Sequence, residues 1–359
     1  MVKRRTVLTL LPAALGLPAA AHATERRGRV LAFPRDHGTH NDTGTEWWYA
    51  TGWMGTEQAP RLGFQLTFFR SSTGLAAGSS SRFAARHLLF AHAAVTDLQA
   101  GRHLHAQRIT RWSGDPLAVP ARAAIDDTDV HIGDWHLRRG SNGYAARLPG
   151  DDFALDLALQ TTQPPLLQGD AGFSRKGPLE HQASHYYSQP QLQVQGSITL
   201  GGQRIALPGL AWLDHEWSDA YLAPEAEGWD WMGLNLFDGS ALTVFQLRRA
   251  DGTALWAGGS HRPAGGKVRA FATDEVRCTA GRRWTSPATQ ASYPVQWDID
   301  TPAGRHTVRS LLDAQEMDSS GSTGTVYWEG LSEVLDGSGR RVGLGYLEMT
   351  GYRGRLQMR

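Results

Sequence analysis

EWWYATGWMGTEQAPRLGFQLTF, at residues 46–68, is the stretch that determines the fold class. Large apolar residues alternate with small or polar ones in 62–68, and residues 46–54 follow the same two-residue period. This is the period of a β-strand, in which successive side chains point to opposite faces. The intervening residues 55–60 contain Gly and Pro and are typical of a hairpin connection. The stretch therefore predicts two antiparallel strands.

The same alternation recurs along the chain, in residues 152–159, 191–195, 197–200, 241–249 and 344–349. Dipeptides that favour turns, such as Asn-Gly, Asp-Gly and Gly-Gly, lie between the alternating stretches. No capped stretch of about a dozen residues has the 3.6-residue period of a helix. The spacing predicts about eight to ten strands on each side of residue 205, enough for two barrels of lipocalin size.

The sequence thus predicts an all-β protein of two consecutive antiparallel β-barrel domains, at 30–205 and 206–359. The length of 359 residues suits one large domain or two ordinary ones. A balance of 36 Lys and Arg against 35 Asp and Glu gives no attraction toward nucleic acid or an anionic membrane. A single Cys excludes an intrachain disulfide. The 13 Trp indicate aromatic-lined surfaces or cavities.

Residues 1–23 have the pattern of an export signal peptide. A basic start at 3–5 precedes an apolar run at 6–20 and a small-x-small cleavage site at 21–23. The run is too short and too interrupted by Pro to span a membrane, and no later segment approaches the necessary length. We therefore expect a periplasmic or secreted protein, exported by the general secretory or the twin-arginine route, with no transmembrane segment.

GLAWLDHEW, at 209–217, is the densest group of ionisable and aromatic residues. In an extended strand, His215 and Trp217 share one face, whereas Asp214 and Glu216 share the other. A carboxylate buried beside indoles has a raised pKa and can act as a general acid, and His215 suits proton transfer. Alternatively, the carboxylates satisfy backbone N–H groups or Arg side chains at a barrel corner, and the histidine is a hydrogen-bonded core residue.

A second candidate group is TEWWY at 45–49. On a strand, Glu46 and Trp48 share one face, and Trp47 and Tyr49 share the other. A Glu46 that faces a barrel interior would be another perturbed acid beside a ligand. Alternatively, Glu46 lies at an edge in water while Trp48 belongs to the core.

GWDWMGLN, at 228–235, is the third group, in which Trp229, Trp231 and Asn235 project together. This stripe suits an aromatic wall for an elongated apolar or cationic ligand, and an ordinary aromatic core is the alternative. Tyr187 adds a polar-tipped aromatic residue near the end of the first half.

Other chemistries have little support in the sequence. His103 and His105 place two imidazoles on one strand face, but a third ligand with recognisable spacing is missing, so we expect no metal. The chain contains no G-x-S-x-G elbow and no G-x-G-x-x-G after a strand. These absences argue against a serine hydrolase and against a dinucleotide cofactor.

Five segments in a fixed order carry a resemblance to a known family. They are TEWWYATGWM (45–54), HYYSQPQLQVQGSI (185–198), GLAWLDHEWSD (209–219), GWDWMGLNLFDGSALTVFQLRR (228–249) and YPVQWDI (293–299). With them the chain resembles the AttH/CrtC family of secreted lipocalin-like proteins, which is related to carotenoid 1,2-hydratase. The resemblance implies two lipocalin-like barrels, an apolar ligand such as a lipid or isoprenoid, no cofactor, and for many relatives an association with an ABC transporter.

The carotenoid branch of the family implies a hydro-lyase reaction. Protonation of an isoprenoid C=C bond gives a tertiary carbocation, which water then captures. By this resemblance His215, assisted by Asp214 or Glu216, would handle the proton or the water, and Trp217 would face the cation. The carotenoid branch also implies a Tyr-x-Asp pair on the strand after the GWDW-like segment, where this chain has Thr-Val-Phe-Gln at 243–246. We therefore expect an exported binder of an elongated apolar ligand, with a hydratase-like enzyme as the alternative.

Overall fold

The computed structural model describes residues 27–76, 78–79, 81, 84–219 and 222–356. The predicted signal peptide at 1–23 lies outside them. The described residues contain no α-helix, only 3-10 turns at Arg35–His37 and Thr273–Glu275. Within the same residues, no helix is long and apolar enough to cross a membrane. The all-β prediction, with two antiparallel units in succession, is confirmed.

The first sheet contains the strands that come first along the chain. They are β1 (Thr45–Gly55), β2 (Pro60–Ser72), β3 (His87–Asp97), β4 (Arg102–Trp112), β5 (Ala121–Ala123), β6 (Asp129–Ile132), β7 (Trp135–Gly140), β8 (Gly143–Pro149), β9 (Phe153–Gln160), β10 (Leu166–Leu167), β11 (Phe173–Arg175), β12 (Ala183–Leu200), β13 (Gln203–Ile205) and β14 (Gly209–Ser218). Their order is β4-β3-β2-β1-β14-β12-β9-β8-β7-β6-β5, with β10, β11 and β13 paired to β12. Arg108 of β4 donates to the Ile132 carbonyl of β6 over 3.2 Å, which brings the two ends together into a nearly closed barrel.

The second sheet follows in the chain. Its strands are β15 (Gly228–Leu236), β16 (Ala241–Arg248), β17 (Ala254–Arg262), β18 (Arg269–Phe271), β19 (Arg277–Ala280), β22 (Gln296–Thr301), β23 (Gly304–Ser310), β24 (Glu316–Ser319), β25 (Thr325–Leu335) and β26 (Arg341–Met349), and β20 (Arg283–Thr285) with β21 (Ser292–Pro294) forms a separate hairpin. The order is β18-β17-β16-β15-β26-β25-β23-β22-β19, with β24 paired to β25. Neighbouring strands are antiparallel throughout.

The predicted domain boundary between residues 205 and 206 is wrong, because β14 belongs to the first sheet. Strand β14 pairs with β1 on one side and with β12 on the other, so it joins the beginning of the barrel to its later strands. The Leu-Pro-Gly segment at 207–209 therefore leads into a strand of the first sheet. The chain passes to the second sheet between Ser218 and Gly228.

A bulge in β12 fastens the two sheets together. Gln191 has a φ of 58°, in the left-handed region, where the register of β12 against β14 shifts. Its backbone N–H donates to Asn235 Oδ1 over 2.9 Å, and Asn235 Nδ2 donates to the Ala211 carbonyl over 3.1 Å. Gln191 Nε2 also donates to the carbonyls of Leu236 and Ser240. Buried hydrogen bonds of this kind fix the position of β15 against β12 and β14.

Candidate functional site

Strand β14 divides the ionisable residues of the LDHEW segment between its two faces. His215 and Trp217 point into the end of the first barrel, whereas Asp214 and Glu216 point toward the second sheet. The predicted assistance of His215 by Asp214 or Glu216 is therefore corrected, since adjacent residues of a strand face opposite ways. The carboxylate that contacts His215 is Glu46, which lies 2.9 Å from its Nε2.

Asp36, His40, Glu46, Arg70 and His215 form a buried group that we call the barrel-end network. Glu46 Oε1 lies 2.8 Å from His40 Nδ1, and Arg70 Nε donates to Glu46 Oε2 over 2.9 Å. His40 Nε2 lies 3.0 Å from Asp36 Oδ1. Burial alone would raise the pKa of Glu46, but the charges and hydrogen bonds of these neighbours hold it well below its usual range. Glu46 is thus an ionised residue of a closed network.

Aromatic rings enclose this network. Trp217 stacks on His40 with ring centroids 3.7 Å apart, and Trp48 stacks on His215 at 4.8 Å. Tyr187 Oη lies 3.2 Å from His215 Nδ1. All these side chains are at most 1% exposed, so the structure does not bring Trp48, Tyr187 or Trp217 to a ligand-accessible surface. Their arrangement instead closes one end of the barrel.

The network also contains a group of metal-ligand atoms. His40 Nδ1, Glu46 Oε1 and His215 Nε2 lie within 4.8 Å of one another, and zinc takes such ligands. Each atom already contacts another member of the group, and Arg70 occupies the second Glu46 oxygen. The hydrogen bonds of these side chains therefore have a structural role. They link β1, β2, β14 and the segment that precedes β1.

A cavity lies on the other side of β14, between the two sheets. It encloses about 730 Å³ of space that atoms do not fill, part of it at an open mouth. The first sheet supplies Trp47, Tyr49, Thr67, Phe69, Asp214 and Glu216, the loop after β11 supplies Lys176, and the second sheet supplies Trp229, Trp231, Phe245, Leu247, Tyr327, Glu329 and Glu348. An aromatic cavity with a few convergent polar groups is the usual form of a small-molecule site.

Two glutamates of the second sheet form a pair in this cavity. Glu329 of β25 lies directly opposite Glu348 of β26 in the strand register, with both side chains on the cavity face. Burial and the nearby Glu348 raise the pKa of Glu329 well above its usual range. Glu329 is 1% exposed and its Oε1 has no hydrogen-bond partner among the described residues. Glu348 is half-buried, nearer the mouth, and its pKa is raised as well. These raised pKa values favour the protonated form of the two carboxyl groups.

Asp214 faces the same cavity in a different environment. Trp212 Nε1 donates to Asp214 Oδ1 over 2.7 Å, and Tyr186 Oη donates to Oδ2 over 2.8 Å. Burial nevertheless raises the pKa of Asp214 to about 7. Next to it, Lys176 Nζ lies 3.0 Å from Glu216 Oε1, an almost fully buried ion pair. The cavity thus contains carboxyl groups with raised pKa values and one buried ion pair.

The structure brings some of the candidate ligand-binding residues to this cavity and others elsewhere. Tyr49, Trp229 and Trp231 line it, whereas Asn235 lies outside it and fastens the sheets. Gly233 leaves room for the Trp231 ring, because a Cβ at this position would lie 2.3 Å from the ring.

Sequence reasoning missed the glutamate pair, Tyr327 and Lys176. A glutamate flanked by apolar residues in WEGL at 328–331 and in YLEM at 346–349 was the available signal for the pair. Lys176 lies in a loop, where no period marks it.

The cavity opens into a wider outer groove, which includes about 1820 Å³ of space continuous with solvent. The residues common to the two are Phe69, Trp229, Tyr327 and Glu348. The groove is more polar than the cavity, with Ser71, His92, Ser322, Thr323, Thr325, Thr350, Arg353 and Arg355 along it. A molecule longer than the cavity would extend along this groove.

The contribution of Asp214 to the unfolding free energy is expected to fall as pH rises between about 4 and 7. The pKa of Asp214 rises from 3.8 to about 7 on folding, so in this window the native state holds a proton that the unfolded chain has lost. This stabilisation is complete below pH 4 and is lost as pH rises to 7. The unfolding free energy from this group falls by at most about 1.4 kcal/mol per pH unit. Urea unfolding across this range should show the unfolding free energy of Asp214→Asn rising relative to that of wild type as pH increases; a constant difference between the two proteins would contradict the assignment.

The fold and the cavity define a lipocalin-like protein of two β-sheets with an acidic, aromatic site between them. The AttH-like family model matches residues 24–352, and the chain belongs to this family. A solved protein from Nitrosomonas europaea described as AttH is 44% identical, with 92% of this chain and 99% of that chain covered and a TM-score of 0.83.

Two further similarities are to enzymes. Kievitone hydratase from Nectria haematococca has the same fold at 14% identity, with 89% of this chain and 93% of that chain covered and a TM-score of 0.68. The dehydratase AsqC from Emericella nidulans is 23% identical over 187 residues, 47% of this chain and 49% of that protein. The chain thus spans about half the length of this curated relative. The family's fold is therefore one that hydratases share.

Proposed function

We propose that this protein is a hydro-lyase that adds water to, or removes it from, an elongated apolar molecule in the cavity between the sheets. The observation that carries the proposal is the Glu329–Glu348 pair, which keeps a proton at the bottom of an aromatic cavity. A buried carboxylic acid that is neutral near pH 7 is a suitable general acid. The similarity in fold to a hydratase and in sequence to a dehydratase supports the same reaction class.

In the hydration direction, the Glu329 carboxyl gives its proton to one carbon of a C=C bond. The O–H bond breaks, a C–H bond forms, and the positive charge on the other carbon faces the rings of Trp229 and Trp231. A water molecule adds to that carbon, and its proton passes to the Glu348 carboxylate. The pair again holds one proton, and the net change is one alkene and one water converted to an alcohol. Dehydration is the reverse sequence.

Carriage of an apolar ligand without turnover is the second candidate. The aromatic walls and the continuation of the cavity into the outer groove favour it, since both suit a long hydrophobic molecule such as a lipid or isoprenoid. This candidate needs the cavity but not the proton of the glutamate pair.

The test combines binding with turnover. The protein is extracted with organic solvent for mass spectrometry, titrated with the apolar fluorophore N-phenyl-1-naphthylamine, and incubated with acyclic isoprenoid alkenes and their tertiary alcohols in isotopically labelled water. Label in the alcohol, or loss of alcohol to alkene, supports the hydro-lyase. Binding without either reaction supports the carrier. If neither binding nor reaction is found, both candidates are wrong.

We also propose that the protein is exported and works beside an ABC transporter. The signal pattern at 1–23 and the family resemblance support these two proposals. Cell fractionation tests the first, and co-purification with a tagged transporter from the same genome tests the second.

A further inference from the structure

A buried histidine of the first sheet connects the outer groove to the cavity. His92, on β3, is 1% exposed and lies between two hydroxyl groups of the second sheet. Its Nδ1 is 2.9 Å from Tyr327 Oη, and its Nε2 is 2.9 Å from Ser322 Oγ. Ser322 is only partly buried and lines the groove, and its hydroxyl donates to Gln107 Oε1 over 2.6 Å. The row of groups therefore begins where water is present.

The other end of this row lies on the same face of the cavity as the glutamate pair. Tyr327 and Glu329 are two residues apart on β25, so their side chains share the cavity face. The Tyr327 hydroxyl lies close enough to the Glu329 carboxyl to favour its charged form. Hydroxyl and imidazole groups each donate and accept a hydrogen bond, so Ser322, His92 and Tyr327 can pass a proton along the row.

The protonation state of His92 suits this task. Burial, together with His105, lowers the pKa of His92 to about 3, so the ring is neutral at physiological pH. A neutral imidazole has one N–H donor and one acceptor nitrogen, and it can take a proton at one nitrogen while it releases another. A permanently charged ring would have two donors and would interrupt the row.

The need for such a path follows from the shape of the site. Glu329 is 1% exposed, and an apolar molecule in the cavity would separate it from the water of the groove. Hydration leaves the proton of the pair on Glu348, so Glu329 must take up a proton before the next cycle while Glu348, nearer the mouth, releases one; dehydration requires the reverse exchange. A row of side chains within the protein provides this exchange while the cavity is occupied.

We propose that Ser322, His92 and Tyr327 form a proton relay between the outer groove and Glu329. In one transfer, the Ser322 hydroxyl turns from Gln107 to His92, a hydronium ion of the groove protonates Ser322 as Ser322 protonates His92 Nε2, His92 Nδ1 protonates Tyr327, and Tyr327 protonates the Glu329 carboxylate. One proton enters through the row, one leaves Glu348 at the mouth of the cavity, and none is left on the intermediate groups. The relay rests on the proposed function, because it serves the glutamate that function uses as the acid.

The experiment follows the proton of Glu329 directly. Infrared spectroscopy detects the C=O stretch of a protonated carboxyl group, and the band that disappears in Glu329→Gln belongs to this residue. After transfer to D₂O, the shift of that band gives the rate of proton exchange. The measurement is made on the full protein with N-phenyl-1-naphthylamine in the cavity, for wild type, His92→Gln and Tyr327→Phe.

We expect the Glu329 carboxyl to exchange its proton several-fold more slowly in both variants than in wild type. Its C=O band should remain in both. The matched control is His103→Gln, since His103 is a partly buried histidine of neighbouring β4 that contacts Thr96 and lies outside the relay. Unchanged rates in both relay variants, or an equal slowing in the control, would overturn the relay. Absence of any band assignable to Glu329 would instead overturn the proposed function. If the fluorophore does not bind, the measurement is made on the free protein. Both relay variants are then still expected to exchange the Glu329 proton more slowly than wild type, by a smaller factor.

Discussion

Glu329→Gln is expected to lower turnover by about 10²–10⁴-fold, the usual contribution of a general acid. The amide keeps the size and polarity of the side chain but has no acidic proton to give. Binding of N-phenyl-1-naphthylamine should change little, because the aromatic walls remain. Turnover is measured with whichever alkene or alcohol wild type converts, and affinity by fluorescence titration.

Glu180→Gln is the matched control for this variant. Glu180 is exposed and its nearest cation is Arg27, so the change leaves the cavity intact. The control should retain wild-type turnover. A Glu329→Gln protein that turns over at the wild-type rate would remove this residue from the reaction. A protein that loses turnover and fluorophore binding together would indicate a collapsed cavity rather than a missing acid.

Glu46→Ala is expected to lower the free energy of unfolding by about 3–5 kcal/mol, the cost of removing one partner of a buried ion pair. The change leaves the guanidinium of Arg70 buried at 0% exposure without its carboxylate, and it removes the contact shared by His40 and His215. Urea unfolding followed by tryptophan fluorescence measures the loss. Glu180→Ala, which removes an exposed carboxylate, should change the value by less than about 1 kcal/mol.

The double variant Glu46→Met with Arg70→Met tests which of two causes lowers the unfolding free energy. One is the unpaired charge of Arg70, and the other is the lost contact of Glu46 with His40 and His215. If the unpaired charge causes the instability, the double variant should recover part of it, because no isolated buried charge remains. An unfolding free energy for Glu46→Ala that matches wild type would show that the barrel-end network adds no stability.

The fold class followed from local features of the sequence, because the two-residue period of a strand is visible in the alternation of neighbouring residues. The same period correctly placed His215 and Trp217 opposite Asp214 and Glu216. The domain boundary could not be predicted this way, since the pairing of β14 with β1 joins residues about 170 positions apart along the chain. Periodicity says which face a side chain occupies, and not which strand will lie beside it.

The candidate site shows the same limit. Trp229 and Trp231 stood out because they are large and close together in the sequence. Glu329 and Glu348 did not, because each is one charged residue in an apolar strand, and only the register of β25 against β26 places them together. Their raised pKa values arise from burial between two sheets, which depends on the packing of distant parts of the chain.

The position of the cavity has a consequence for assembly. Its walls come from both sheets, so the site does not exist until each sheet has formed and the two have docked. A ligand that binds only the docked form adds RT ln(1 + [L]/Kd) to the stability of that form, or about 2.7 kcal/mol at a hundredfold excess over Kd. A bound apolar molecule would thus stabilise the docked arrangement of the two sheets. Release of that molecule would be linked to how readily the halves separate.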